Sequence, residues 1–134
     1  MHKIYVAGPY SADSICTGLT NMKHGIRKAT ELMLRGYAPF CPWLDYHFTL
    51  MTRENETITL EQYYAYSIAF LEVCDAVLLL PGWENSKGTV AEVELAKKIG
   101  IPVFLPEEEC LLDDYFAIPG SKKELADLIA EGEE

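Results

Sequence analysis

The segment Asp75-Ala76-Val77-Leu78-Leu79-Leu80 constrains the fold more than any other part of the chain, because its apolar run has no polar alternation and is closed by Pro81-Gly82. An unbroken run of this kind marks a strand buried on both faces, as in a parallel sheet covered by helices on either side. The rest of the sequence supplies the elements such a sheet needs. Ile4-Tyr5-Val6-Ala7 is a second short apolar run, stopped by Gly8-Pro9. Met22, Ile26, Ala29 and Met33 recur at helical spacing, predicting a helix from about Thr20 to Arg35 that stops at Gly36. Tyr37 to Phe40 reads as a strand, and residues 43–58 show no clean period, which predicts a long loop. Thr59-x-x-Gln62 is a capping box heading a helix to about Val73. A helix from Thr89 to Ile99, a strand at Pro102–Leu105 and a last helix capped by Ser121 and running to about Ala130 follow, with residues 131–134 expected to fray. Alternating strands and helices predict a single α/β domain over residues 1–134. The expected architecture is flavodoxin-like, with a four- to five-stranded parallel sheet.

Composition narrows the functional classes. Twenty-one acids against eleven bases give a net charge of −10, so the basic footprint of a nucleic-acid polymer binder is missing. The longest apolar run is far below the ~20 residues of a spanning helix, so no membrane partner is expected. Met1-His2-Lys3 leads straight into a strand-like segment, so no signal peptide is expected either. The four cysteines form no C-x-x-C pair, and with three histidines they match no zinc pattern. They read as reduced, mostly buried thiols of a cytoplasmic protein, with Cys41 beside Pro42 the candidate for a reactive one. No metal or organic cofactor is expected.

Ligands of parallel α/β sheets bind at the carboxyl ends of strands, near the point where strand order reverses. The segments to inspect are therefore 8–14, 41–58 and 81–92, which makes Gly8, Pro9 and Gly82 candidate contacts. A phosphate-binding G-x-x-x-x-G-K-[ST], a dinucleotide G-x-G-x-x-G and a nucleophile-elbow G-x-S-x-G are all absent. The third segment is the informative one. Backbone N–H groups from Ser86 to Thr89 would open a helix N-terminus toward an anion, and Gly88 would let a ligand approach closely. Glu92, in the first helical turn, would be favoured as a carboxylate and suited to attack on a sugar carbon bearing a good leaving group. Thr89-x-x-Glu92 is also a capping box, so a purely structural role for Glu92 stays open, as does a turn role for Ser86. Trp43, Asp45, Tyr46, His47 and Phe48 in the long loop, with Trp83 at the strand exit, could stack on or line a base pocket, or simply pack the loop down.

The residues Ile4-Tyr5-Val6-Ala7-Gly8-Pro9, Cys74-Asp75-Ala76-Val77 and Ser86-x-Gly88-x-x-x-Glu92, followed by Gly100-Ile101-Pro102-Val103, resemble the nucleoside 2-deoxyribosyltransferase superfamily over about residues 3 to 105. The match includes its 2′-deoxynucleoside 5′-phosphate N-hydrolases. Gly88-Thr89-x-x-Glu92 after Pro81-Gly82 is also similar to an element of nucleotide phosphoribohydrolases, which break the same kind of bond. The resemblance implies Glu92 as nucleophile at C1′, a glycosyl-enzyme intermediate, and Tyr5 holding Glu92. It implies a homodimer or higher assembly, to which the apolar stretch from Cys110 to Pro119 could contribute. Serine at position 86 matches the nucleotide hydrolases, where the nucleoside transferases carry an aspartate, and so implies a 5′-monophosphate. Two features depart from the pattern. The arginine those hydrolases carry after strand 1 is missing, and the family's helix aspartate is Ser67 here, which cannot be an acid at neutral pH. Asp45 or His47 would have to replace it, or the chain binds nucleotide without turnover. Base exchange on free nucleosides is a further alternative.

Overall fold

The computed structural model describes residues 1–117. Its sheet has four strands, all parallel: β1 (Lys3–Ala7), β2 (Ala38–Phe40), β3 (Ala76–Leu79) and β4 (Val103–Phe104), in the order β2-β1-β3-β4. Helices α1 (Ile15–Leu34), α3 (Leu60–Leu71) and α4 (Lys87–Ile99) make the crossovers, and short helices α2 (Tyr46–Leu50) and α5 (Leu111–Phe116) follow β2 and β4. The expected α/β architecture is therefore present, with four strands among the described residues. The last expected helix, Ser121 to Ala130, the terminal residues 131–134, and Ile118 and Pro119 lie outside the described residues.

Side chains of β1 alternate between two separate cores, because successive strand residues point to opposite faces. Ile4 and Val6 pack with Ala29 and Leu32 of α1 and with Leu112 of α5. Tyr5 and Ala7 pack with Leu71 of α3 and with Val93 and Ala96 of α4. In β3, Ala76 and Leu78 join the first core while Val77 and Leu79 join the second, which is why the run had to be apolar throughout. The chain runs from β1 outward to β2, then crosses back to β3 on the other side of β1. That reversal opens a crevice beyond the carboxyl ends of β1 and β3, on the face that Tyr5 shares with α3 and α4.

Helix α5 is not among the expected elements, and α3 ends at Leu71 rather than near Val73; three further differences have local causes. Helix α1 begins five residues early because Ser14 caps it, accepting the Thr17 N–H at 3.1 Å. The first turn carries Ile15 and Leu19 largely exposed, so it shows no burial pattern to read. The long loop after β2 is partly helical: Pro42 starts a 3₁₀ turn (Pro42–Asp45) that runs directly into α2. Both pieces are too short to show a period. The third difference is at the start of α4, which begins at Lys87 rather than Thr89. The Thr59–Gln62 capping box forms with both bonds, at 3.1 and 2.8 Å. Thr59→Ala removes one of them and should lower stability by about 1 kcal/mol, read from the urea midpoint at unchanged slope.

Helix α5 packs on its own chain. Phe116 lies 4.3 Å from the His2 ring and edges against Tyr37, while Tyr115 edges against Phe104. Cys41 and Cys74 are buried, but Cys16 and Cys110 are exposed, which corrects the expectation of mostly buried thiols. Burial pushes the Cys41 thiol up to about 11, which disfavours the thiolate that a reactive cysteine needs. No helix among the described residues is long and apolar enough to cross a membrane.

Candidate functional site

Gly82 leaves β3 with φ of 87°, a left-handed turn that a side chain would strain. The turn feeds a 3₁₀ segment (Trp83–Asn85), and Ser86 then caps α4, its side-chain oxygen accepting the Thr89 N–H at 3.3 Å. The helix thus starts two residues before the expected Thr89. Thr89 is an interior residue whose hydroxyl donates to the Gly8 carbonyl at 2.9 Å, pinning α4 to the exit of β1. Thr89-x-x-Glu92 consequently forms no capping box. Glu92 stands one turn further in, beside the buried Thr89 and Val93, with no capping duty.

Glu92 forms part of the wall of a cavity of about 470 Å³ at the carboxyl ends of β1 and β3. Its carboxyl is partly buried, and burial raises it from 4.5 to about 7, with Tyr5 pulling weakly the other way through a hydrogen bond. Tyr5 itself is fully buried behind the wall. Its hydroxyl is the buried side-chain oxygen, among the described residues, that meets no partner in full hydrogen-bond geometry. Ser67 and Glu92 are nevertheless near enough to perturb it, and burial together with the Glu92 charge keeps the phenol protonated. Ser67, on α3, is buried and lines the same cavity. Three polar groups from β1, α3 and α4 therefore converge at one end of the cavity.

The mouth of the cavity on the α4 side is formed by Asn85, Ser86, Lys87 and Gly88. The Lys87 and Gly88 N–H groups, first in the helix, have no intrahelical acceptor. A Cβ added to Gly88 would sit 3.8 Å from Tyr64, an ordinary contact, so folding does not require glycine there. The arrangement suits an anion: free N–H groups, a hydroxyl and an ammonium at a helix N-terminus.

The opposite wall is built from Tyr10, Asp45, Tyr46 and Thr49, with Tyr63 of α3. Trp43 is fully buried beneath it, donating its indole N–H to the Pro9 carbonyl at 3.0 Å and stacking parallel to Tyr10. A ring with no exposed surface cannot stack on a ligand, so Trp43 supports the wall. Tyr10 donates its hydroxyl to Asp45 Oδ1, and Thr49 and Tyr63 share a hydrogen bond that ties α2 to α3. Asp45 is 8% exposed, and burial raises its carboxyl while the Tyr10 bond lowers it.

Of the residues singled out in the sequence, Gly8, Trp43, Asp45, Ser67, Ser86, Gly88 and Glu92 meet at this cavity, with Tyr5 directly behind. Four others do not. Trp83 packs against the core beneath β1, and Gly82 only shapes the turn. Pro9 faces a separate cleft beside α1, and His47 is exposed, its ring near the Leu44 carbonyl. His47 is thus removed as a replacement acid. Sequence reading missed Tyr10 and Thr89, whose partners lie 35 and 81 residues away. Among the described residues, no three His, Cys, Asp or Glu side chains gather to hold a metal.

A family model described as a domain of unknown function, DUF4406, matches residues 2–105. Among solved structures, the chain is similar to a 2-deoxyribosyltransferase from the psychrotolerant bacterium Bacillus psychrosaccharolyticus. The identity is 20% and the TM-score 0.56, over 77% of this chain and 70% of that one, a likeness of fold. No curated protein matches.

Proposed function

We propose that this chain, which belongs to the DUF4406 family, cleaves the N-glycosidic bond of a nucleoside or deoxynucleoside 5′-monophosphate, with Glu92 as nucleophile. The observation that carries the reading is Glu92 itself. A partly buried carboxylate, freed from capping, facing a cavity and raised by burial to about 7, is the kind of perturbed titratable group that clusters at functional sites. The superfamily resemblance and the shared fold support the same chemistry.

In this reading the phosphate rests on the Lys87 and Gly88 N–H groups with the Ser86 hydroxyl, and the sugar lies over Glu92. A Glu92 oxygen bonds to C1′ while the C1′–N bond breaks and its electron pair leaves with the base, which takes a proton from solvent or from a group beside it. Water then attacks C1′, the ester C–O bond breaks, and the carboxylate is regenerated as the water proton is released. Tyr5 orients the carboxylate. Ser67 touches the sugar but supplies no acid. That favours, as a second reading, a protein that binds nucleotides without turnover.

The test is release of free base from ribo- and deoxyribonucleoside 5′-monophosphates and the matching nucleosides, with and without a second base. Release from monophosphates alone supports the proposal; base swapping on free nucleosides would replace it with a transferase. Saturable binding without release would favour the second reading. Ser86→Asp sharpens the phosphate argument, because aspartate also caps helices well and so preserves the fold. It should raise KM for monophosphates roughly 10- to 100-fold through like-charge repulsion, leaving nucleosides nearly unaffected.

We further propose that the chain works as a single cytoplasmic domain assembled into a homodimer or larger oligomer. Helix α3 is apolar on nearly every side yet leaves Leu60, Tyr64 and Phe70 on the surface, and Phe48, Leu50 and Met51 at α2 are exposed as well. A helix of that composition is ordinarily covered. Sedimentation of the purified protein should give at least a dimer; a monomer at micromolar concentration would refute it.

A further inference from the structure

Asp45 is a buried carboxylate that the reaction above does not use. It ends the 3₁₀ turn after β2 and lines the same cavity as the α4 N-terminus. Among the described residues its one hydrogen bond is from Tyr10, to Oδ1. Asp45 lines the cavity, and Oδ2 takes no hydrogen bond from the described residues. Tyr10 is held firmly: its ring stacks parallel to Trp43 at 6.4 Å, and its carbonyl accepts from Asn21 at 3.4 Å. A donor fixed on one oxygen leaves the other oxygen as the acceptor open to a ligand.

Resting on the nucleotide reading above, we propose that Asp45 selects the base: Oδ2 accepts a hydrogen bond from an exocyclic amino group, so the site takes amino-bearing bases and disfavours uracil and thymine. With the phosphate at Ser86–Gly88 and C1′ at Glu92, the base extends toward the wall that holds Tyr10 and Asp45. An amino group there meets an acceptor. A carbonyl at the same place meets a like lone pair, and both lose water without gaining a bond. Sites built around one such bond discriminate far more strongly than apolar pockets do.

Cytosine and uracil share one shape and differ along one edge, a 4-amino group beside a bare N3 against a 4-carbonyl beside N3–H, so their 5′-monophosphates are the decisive pair. Base release from CMP should exceed that from UMP by about 100-fold in kcat/KM, with the deoxy pair behaving alike. Asp45→Asn keeps the shape and can still accept from Tyr10, but it offers the ligand an amide with both a donor and an acceptor. It should bring the CMP to UMP ratio close to one, mainly by lowering CMP. Tyr10→Phe, which leaves Asp45 without its donor, should shrink the ratio by less. Circular dichroism confirms that the variants fold.

Calorimetric binding of CMP and UMP to the wild-type protein separates this inference from the catalytic one. A CMP preference in binding with no base release would support Asp45 as the selector while removing the glycosidase reading. Equal handling of CMP and UMP by the wild-type protein, binding of neither, or an Asp45→Asn variant that weakens both nucleotides equally would overturn it.

Discussion

Glu92→Gln should abolish base release, by roughly a thousandfold or more in kcat, while making the protein more stable at pH 8. Both effects come from the same burial. The amide has the size of the carboxyl but cannot form the ester to C1′, so the first chemical step is lost. Stability follows from proton linkage. In the folded protein Glu92 holds its proton up to about 7, whereas the unfolded chain releases it near 4.5. Between those values the native state binds more protons than the unfolded one, so stability falls as pH rises. The contribution is complete below about 4.5 and lost as pH passes about 7.

Above that window the wild-type protein bears the cost of a desolvated carboxylate, between about 1 and about 3 kcal/mol, and Glu92→Gln does not. Urea unfolding of both proteins at pH 4.5 and pH 8 checks this: the midpoints should agree at the lower pH and diverge in favour of the variant at the higher one. A variant less stable at pH 8 would show that Glu92 carries structural bonds after all. The same ionisation sets the pH profile of activity. A nucleophile must be deprotonated, so kcat/KM should climb with pH and level off above about 7.

Gly25→Ala should lower stability by about 2–4 kcal/mol and the melting temperature by about 10 °C. Alanine ordinarily strengthens a helix by up to ~1 kcal/mol over glycine. At Gly25 the added Cβ would lie 2.2 Å from Trp43 Cε3 and 2.3 Å from Cδ2, well inside contact distance. Trp43 has nowhere to go, being fully buried, bonded to the Pro9 carbonyl and stacked on Tyr10. Displacing it moves the wall that carries Tyr10 and Asp45, so ligand affinity should fall together with stability. Gly18, in the same helix, is the control: nothing lies within 4 Å of its added Cβ, so Gly18→Ala should stabilise by up to ~1 kcal/mol. Thermal melts of the two variants should move in opposite directions. Trp43→Phe introduced with Gly25→Ala should recover part of the loss; strict additivity would mean that the ring is not what the methyl strikes.

Strands β1 and β3 were readable because each is buried on two faces, which demands consecutive apolar residues. Helix α3 was readable because Thr59 and Gln62 satisfy its first turn locally. The short pieces after β2 were not, since a 3₁₀ turn and five helical residues span too little chain to show a period. Trp43 looked equally suited to stacking and to packing. Its role was settled by Gly25, eighteen positions earlier, which makes room for the ring beneath the wall.

By itself, the sequence determined the alternation of buried strands with helices, the parallel sheet, and the gathering of ligand-facing segments at one end of it, because hydrophobic period and local capping act over neighbouring residues. Only the tertiary structure decided what Glu92 is. Ser86 and Thr89 are both good caps, and each is followed three residues later by a polar partner, so the sequence allows the helix to start at either. The bond from the Thr89 hydroxyl to the Gly8 carbonyl, across 81 residues, draws Thr89 into the interior and leaves the cap to Ser86. That long-range contact turns Glu92 from a capping residue into a desolvated carboxylate facing a cavity.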